Sequence, residues 1–269
     1  MAAVTAAAAA ASGLRTLLVG LDSGSALGES FGLGSLTTSR VEVTDNLDAQ
    51  IVVPDLALRD WLADKRLARL ADRLATSGAL DMIATAVPGI RDILVLGRIK
   101  ALINEANHDV IVVDGPASGH AVSMLQTATG LRESVSVGAI RQQADEVAGM
   151  LADPAITQVL LVTLPEQTPV TETVETAFAL EDRVGVRLGP IFVNQVDPQR
   201  AALVNTEAFD EPTRQFVLDQ MAREAMQQAM IHRLQTELPL PLVELPTVRS
   251  VSLEQRRRQL QQALLEWAP

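Results

Sequence analysis

Four short runs, Thr16–Leu21, Val110–Val113, Gln158–Val162 and Pro190–Val193, are almost wholly apolar and rich in β-branched residues. A strand with one wet face alternates polar and apolar side chains, whereas a run that is apolar throughout needs cover on both faces. Between the runs lie helical spacings: Leu58, Trp61, Leu62, Leu67, Leu70 and Leu74, then Ile90, Ile93, Leu94, Ile99 and Leu102. Strands alternating with helices predict an α/β fold, a mostly parallel sheet with helices on both faces. Leu47–Val53 reads as a weaker strand, and Leu240–Leu245 as another, bounded by Pro239, Pro241 and Pro246. Residues 54–107 carry no buried-strand pattern and are expected to form a helical layer or insertion beside the sheet. No tandem repeat or low-complexity linker interrupts the chain, so residues 1–269 are read as one domain.

The chain's 33 acidic against 22 basic residues give a formal charge of −11. Attraction to a phosphate backbone therefore cannot drive a nucleic-acid function for the chain as a whole. The run Arg256-Arg257-Arg258 reads as a solvated helix face. Zero cysteines exclude disulfides, thiolate metal sites and cysteine nucleophiles, and three scattered histidines make no zinc site. Met1–Leu14 is Ala-rich and uncharged, but it lacks the basic segment of a signal peptide, and Arg15 ends it before spanning length. Ala2–Ala11 is instead expected as a helix stopped at Ser12-Gly13. With no run of eighteen apolar residues elsewhere, the expectation is a cytoplasmic protein without a transmembrane segment.

Ligands of parallel sheets bind beyond the carboxyl ends of the strands, so the residues after each strand carry the functional reading. After the first strand comes Asp22-Ser23-Gly24-Ser25, and after the second Asp114-Gly115-Pro116-Ala117-Ser118-Gly119-His120. Four apolar residues delivering a carboxylate to the sheet edge is the layout of a strand whose acid orders the magnesium shell of a nucleoside triphosphate. After the fourth run comes Asn194-Gln195-Val196-Asp197-Pro198, whose side-chain amide has the donor and acceptor a base edge requires. Each motif is also an ordinary turn or helix cap when taken alone.

Taken together and in order, Leu18-Val19-Gly20-Leu21-Asp22 with Leu27 and Phe31, Val112-Val113-Asp114 with Gly119-His120, Val162-Thr163-Leu164-Pro165-Glu166, Phe192-Val193-Asn194-Gln195 and Pro241–Val248 resemble the anion-transporting ATPases. These include the arsenite-pump ATPases and the tail-anchored-protein targeting ATPases, within the deviant Walker A class of P-loop NTPases. The resemblance implies that Asp22 is the switch I aspartate that orients the attacking water. It implies that Asp114 opens switch II and reaches Mg through water, and that Gly119 and His120 end that switch and sense the γ-phosphate. Asn194 matches the adenine-recognising asparagine, and Pro246, Thr247 and Val248 match the loop that packs on the base. The implied cofactors are ATP and Mg. The implied assembly is a homodimer or a paired ATPase subunit serving an unknown protein client. Two departures stand out: Ser23-Gly24-Ser25 replaces the family's Pro-Ala-His, and Gly115-Pro116-Ala117-Ser118 replaces Thr-Ala-Pro-Thr. The absence of cysteine separates the chain from metalloid-stimulated and zinc-bridged members. Met221, Met226 and Met230 on one helical stretch are read as core packing rather than as a client groove.

Lysine count adds the sharpest constraint. A phosphate loop needs glycines, a lysine and a Ser or Thr, yet the only two lysines, Lys65 and Lys100, sit in helical patterns without neighbouring glycine. This sequence has no Walker A motif and is expected to be inactive alone. The family sets that loop just before the helix expected at Ala2–Ala11. Loss of the first strand would leave neighbouring strands unpaired, so a start assigned too late, with strand and loop upstream, is the favoured expectation. The alternative is a nucleotide-incompetent regulatory partner of an intact ATPase subunit.

Overall fold

The computed structural model describes residues 1–21, 25–64, 89–198, 209–250 and 252–267. In chain order the elements are α1 (Ala2–Ala11), β1 (Thr16–Gly20), α2 (Ser25–Glu29), β2 (Val41–Thr44), β3 (Leu47–Ile51), α3 (Pro54–Asp64), α4 (Ile90–Asn104), β4 (Val110–Asp114), α5 (Ser118–Ser134), α6 (Ala139–Ala152), β5 (Gln158–Thr163), α7 (Gln167–Arg183), β6 (Arg187–Val196), α8 (Glu211–Glu237), β7 (Leu242–Pro246) and α9 (Leu253–Trp267). Lys65, Leu67, Leu70 and Leu74 lie outside the described residues, as does Asp22.

The strands form a four-stranded sheet in the order β2-β3-β1-β4 and a three-stranded sheet in the order β5-β6-β7, parallel throughout except for β2 against β3. The fold is therefore α/β with mostly parallel sheets flanked by helices, as the strand runs predicted. Why β1 is apolar at every position is now plain. Leu17 and Val19 point into a core made with α3, α4, α5 and α6, while Leu18 points to the opposite face under α1. The second sheet repeats the scheme. Ile191 and Val193 pack under α7 and α8, and Phe192 with Val243 and Leu245 packs under α1 and α9.

Helix α1 ends as expected, with Ser12 at its carboxyl cap and Gly13 in the left-handed region at φ 89°. Its residues serve both sheets: Ala3, Ala6 and Ala10 join the cluster that Val112 of β4 packs against, and Val4 joins the one that Leu160 of β5 packs against. On the other face, Leu125 of α5 packs against the cores of both sheets. The edges of β4 and β5 are thus bridged above and below, yet among the described residues no ladder joins them. Burial reflects this: β1 is buried at every residue, β4 is only half-buried at every residue, and Val162 of β5 is 48% exposed.

Two elements depart from the expected pattern. Strand β2 went unread because it is a four-residue edge strand with alternating burial, Val41 and Val43 inward, turning back at Asp45-Asn46. Strand β6 runs ten residues, well beyond Pro190–Val193, through Gly189-Pro190, which reads as a break. Gly189 is needed there because β5 comes close: a Cβ on it would lie 2.5 Å from Leu160 Cδ2 and 2.8 Å from the Gln158 side chain. Two side-chain expectations also change. Met226 is 46% exposed rather than packed in the core, since α8 meets the rest of the protein mainly through Gln227, Ile231 and Leu234. Arg257 is not simply solvated: its guanidinium lies 4.5 Å from the centre of the Phe31 ring and its Nε donates to Ser30 O.

Candidate functional site at the carboxyl edge of the strands

Strand register brings Asp114 level with the carboxyl end of β1. Gly20, the last residue of β1, pairs with Asp114, the last residue of β4. Asp22 follows Gly20 by two positions in sequence but lies outside the described residues. Beyond Asp114, Gly115 and Ala117 are exposed and α5 begins at Ser118, so Gly119 and His120 occupy its first turn, both exposed. Among the described residues no side chain caps this helix end, and no acidic residue lies in its first turn. Its leading amide groups are of the kind that bind an anion at a helix amino end. The His120 imidazole is 3.4 Å from Ser123 Oγ, and the same hydroxyl donates to His120 O at 2.9 Å.

The second sheet contributes another group. Asn194 lies near the carboxyl end of β6, half-buried, and is followed by Gln195 in the left-handed region at φ 62°. Pro246 closes β7, Thr247 N donates to Val196 O at 3.0 Å, and Thr247 Oγ1 donates to Asp197 Oδ1 at 2.7 Å. Val196 and Asp197 at the end of β6 are thus bonded to Thr247 after β7. Val248 turns inward and packs with the cluster that joins α1 and α9.

Both groups lie on the same side of the molecule. Helix α1 feeds β1 through residues 12–15, so its carboxyl end stands at the amino edge of the sheet and its amino end at the carboxyl edge. There Met1 packs against the same cluster as Val248. Asp114 with the amino end of α5, and Asn194 with Thr247, therefore flank the unpaired edges of β4 and β5 from either side.

Two residues that sequence reasoning missed support the second group. Gln227 of α8, 3% exposed, accepts from Asp197 N and donates to Gln195 O, and Arg223 lies 3.0 Å from Asp197 Oδ2. Both sit in a polar helix, where neither periodicity nor residue type singles them out.

Several expectations concern residues with structural roles. Lys100 lies mid-helix in α4 and pairs with Glu146 at 2.8 Å. Trp61 donates its Nε1 to Gln143 at 3.1 Å beside a pocket of about 230 Å³ between α3, α4 and α6. Arg15 bonds Asp109 through backbone and side chain and holds that carboxyl down at about 2. Among the described residues, no group of three potential ligands could hold a metal ion, and no helix is long and apolar enough to cross a membrane. Asp114 suits the lesser demand of magnesium, a hard ion met by one or two carboxylates with water and phosphate oxygens.

Comparison with known proteins places the chain in a family. The profile of the anion-transporting ATPases matches residues 1–147, a stretch that contains Asp22, Asp114, Gly119 and His120. ATPase BagA of Mycobacterium tuberculosis is 32% identical over 129 residues, covering 45% of this chain and 37% of that protein. A putative arsenical pump-driving ATPase of Halobacterium salinarum is 24% identical over 120 residues, 42% of this chain and 19% of that protein. Protein Rv2184c of Mycobacterium tuberculosis is 28% identical over 237 residues, 73% of this chain and 55% of that protein. The chain thus matches less than two thirds of the length of each of these relatives.

Proposed function

The chain belongs to the anion-transporting ATPase family, and from that premise we propose that it is the switch-bearing and base-reading part of an ATP-hydrolysing protein. The observation that supports this reading is the placement of Asp114, the amino end of α5 and the residues Asn194 to Asp197 with Thr247 at the carboxyl ends of their strands, either side of the outer edges of β4 and β5, which no ladder joins among the described residues.

In this reading Asn194 offers its amide to the adenine edge, and Pro246, Thr247 and Val248 pack on the base. Asp114 orients a magnesium-bound water, while Gly119 and His120, at the start of α5, respond to the γ-phosphate. Asp22 positions the attacking water. A bound Mg ion would supply charge neutralisation across the phosphates. The glycine-rich loop and lysine that phosphate binding needs are not in this sequence. The unpaired edges of β4 and β5 are where the strand leading into such a loop would fit, because an apolar strand there would be covered on both faces and paired on both sides. We extend the proposal to pairing with a second copy or another ATPase subunit, to residues 54–107 as the helical layer that reads the switch, and to a cytoplasmic setting.

Calorimetric titration of Mg-ATP into the 269-residue chain tests the reading. Weak or no binding and no turnover are expected without the lysine. Robust hydrolysis abolished by Asp22→Asn would overturn the view that a phosphate loop is necessary. Tight capture of an intact ATPase subunit with no nucleotide bound to this chain would favour the regulatory-partner reading.

A further inference from the structure

We propose that Gln227 and Arg223 of α8 are positioning residues for the base-reading loop, so that α8 and the nucleobase site form one mechanical unit. The inference rests on the reading of Asn194 given above. The chain turns sharply just after Asn194, because Gln195 adopts a left-handed backbone at φ 62° that side chains other than glycine rarely take. Such a turn persists where its surroundings hold it, and Gln227 does so from both ends. Its Nε2 donates to Gln195 O at 3.3 Å, and its Oε1 accepts from Asp197 N at 2.9 Å. One buried amide therefore clamps the backbone on either side of Val196, and at 3% exposure no water can substitute for it.

Asp197 extends the clamp. One carboxylate oxygen accepts from Thr247 Oγ1 at 2.7 Å, and the other faces Arg223 Nε at 3.0 Å. Arg223 and Gln227 are four residues apart on α8 and share a face. Gln195 and Asp197 at the end of β6, Thr247 after β7 and the middle of α8 are held by one network. Toward its amino end the same helix exposes Phe216 and Leu218.

Adenosine and guanosine are the probes that suit a chain without a phosphate loop. Each would be titrated by NMR into wild type, Gln227→Leu and Arg223→Ala, with amide hydrogen exchange and melting temperature measured in parallel. Gln227→Leu removes both clamp bonds. Arg223→Ala truncates a half-exposed side chain and leaves the core untouched, so it keeps the test valid if the first variant folds poorly. Wild type is expected to prefer adenosine. Both variants should lose about fivefold in adenosine affinity, the scale of one positioning hydrogen bond, with guanosine unchanged. Exchange at Asp197 and Thr247 should rise. Adenosine preference unchanged in both variants, whatever the exchange, would overturn the positioning role alone. No adenosine preference in wild type would overturn the reading of Asn194 and this inference with it.

Discussion

Supplying a strand to the unpaired edges should change the protein more than any point substitution. The perturbation is an extension ahead of Met1: a five-residue β-branched strand such as Val-Ile-Val-Val-Thr, followed by a flexible glycine-rich turn into α1. Edges of five residues on β4 and six on β5 let such a strand form roughly ten backbone bonds, each worth about 1 kcal/mol net. Ordering five residues costs about 1–2 kcal/mol apiece, so these two contributions nearly cancel. What remains is apolar burial, both of the new side chains and of β5, whose Val162 is now 48% exposed. At ~1.5 kcal/mol for each of four or five side chains, the gain is on the order of 5 kcal/mol. For a chain of this size that raises the melting temperature by roughly 10–20 °C. Differential scanning calorimetry reads the shift, and hydrogen exchange reads its origin. The amides of Val110–Asp114 and Gln158–Thr163 that point away from β1 and β6 should become protected. The same extension with prolines at alternate positions has no donors toward one of the two edges, so it cannot pair on both sides and should do neither. An unchanged melting temperature with β4 and β5 exchanging as before would refute the reasoning that these edges await a strand.

Two further outcomes follow from interactions elsewhere in the fold. Arg257→Leu removes the stacking on Phe31 and the bond to Ser30 O, and should cost about 1–2 kcal/mol in urea unfolding while raising exchange around Ser30 and Phe31; an unchanged midpoint would show that α9 holds this segment by other means. Asp109, held down at about 2 chiefly by its bond to Arg15, contributes stability that is present above the ordinary carboxylate range and is lost as pH falls through about 2. The stability gap between wild type and Asp109→Asn should thus be full at pH 6 and close toward pH 2, and a gap independent of pH would contradict the pairing.

Much of this architecture was legible in the residues. A strand apolar at every position, as in Leu17-Leu18-Val19, has to be covered twice, and the sequence pattern carries that requirement openly. The carboxyl-edge positions of Asp114 and Asn194 follow from the strand ends alone. The short edge strand β2 was hidden because four residues do not establish a period. The reach of β6 was hidden because Gly189 looks like a breaker when it is in fact an accommodation to Leu160. Gln227 was hidden for another reason. Its role depends on the backbone of Gln195 and Asp197, some thirty residues away, and no local pattern encodes a long-range clamp. The exposure of Met226 depends likewise on what α8 fails to meet.

The central claim is that this strand edge binds ATP once a phosphate loop is present. Its most direct test is calorimetric titration of Mg-ATP into the chain extended by a strand and a Gly-Lys-Gly-Gly-x-Gly-Lys-Ser/Thr loop ahead of α1. The account predicts saturable binding that is absent from the unextended chain and is weakened about tenfold or more by Asn194→Ala, on the scale of one to two hydrogen bonds to a base. Binding that ignores Asn194→Ala, or no binding by an extended chain whose β4 and β5 amides are protected, would contradict it.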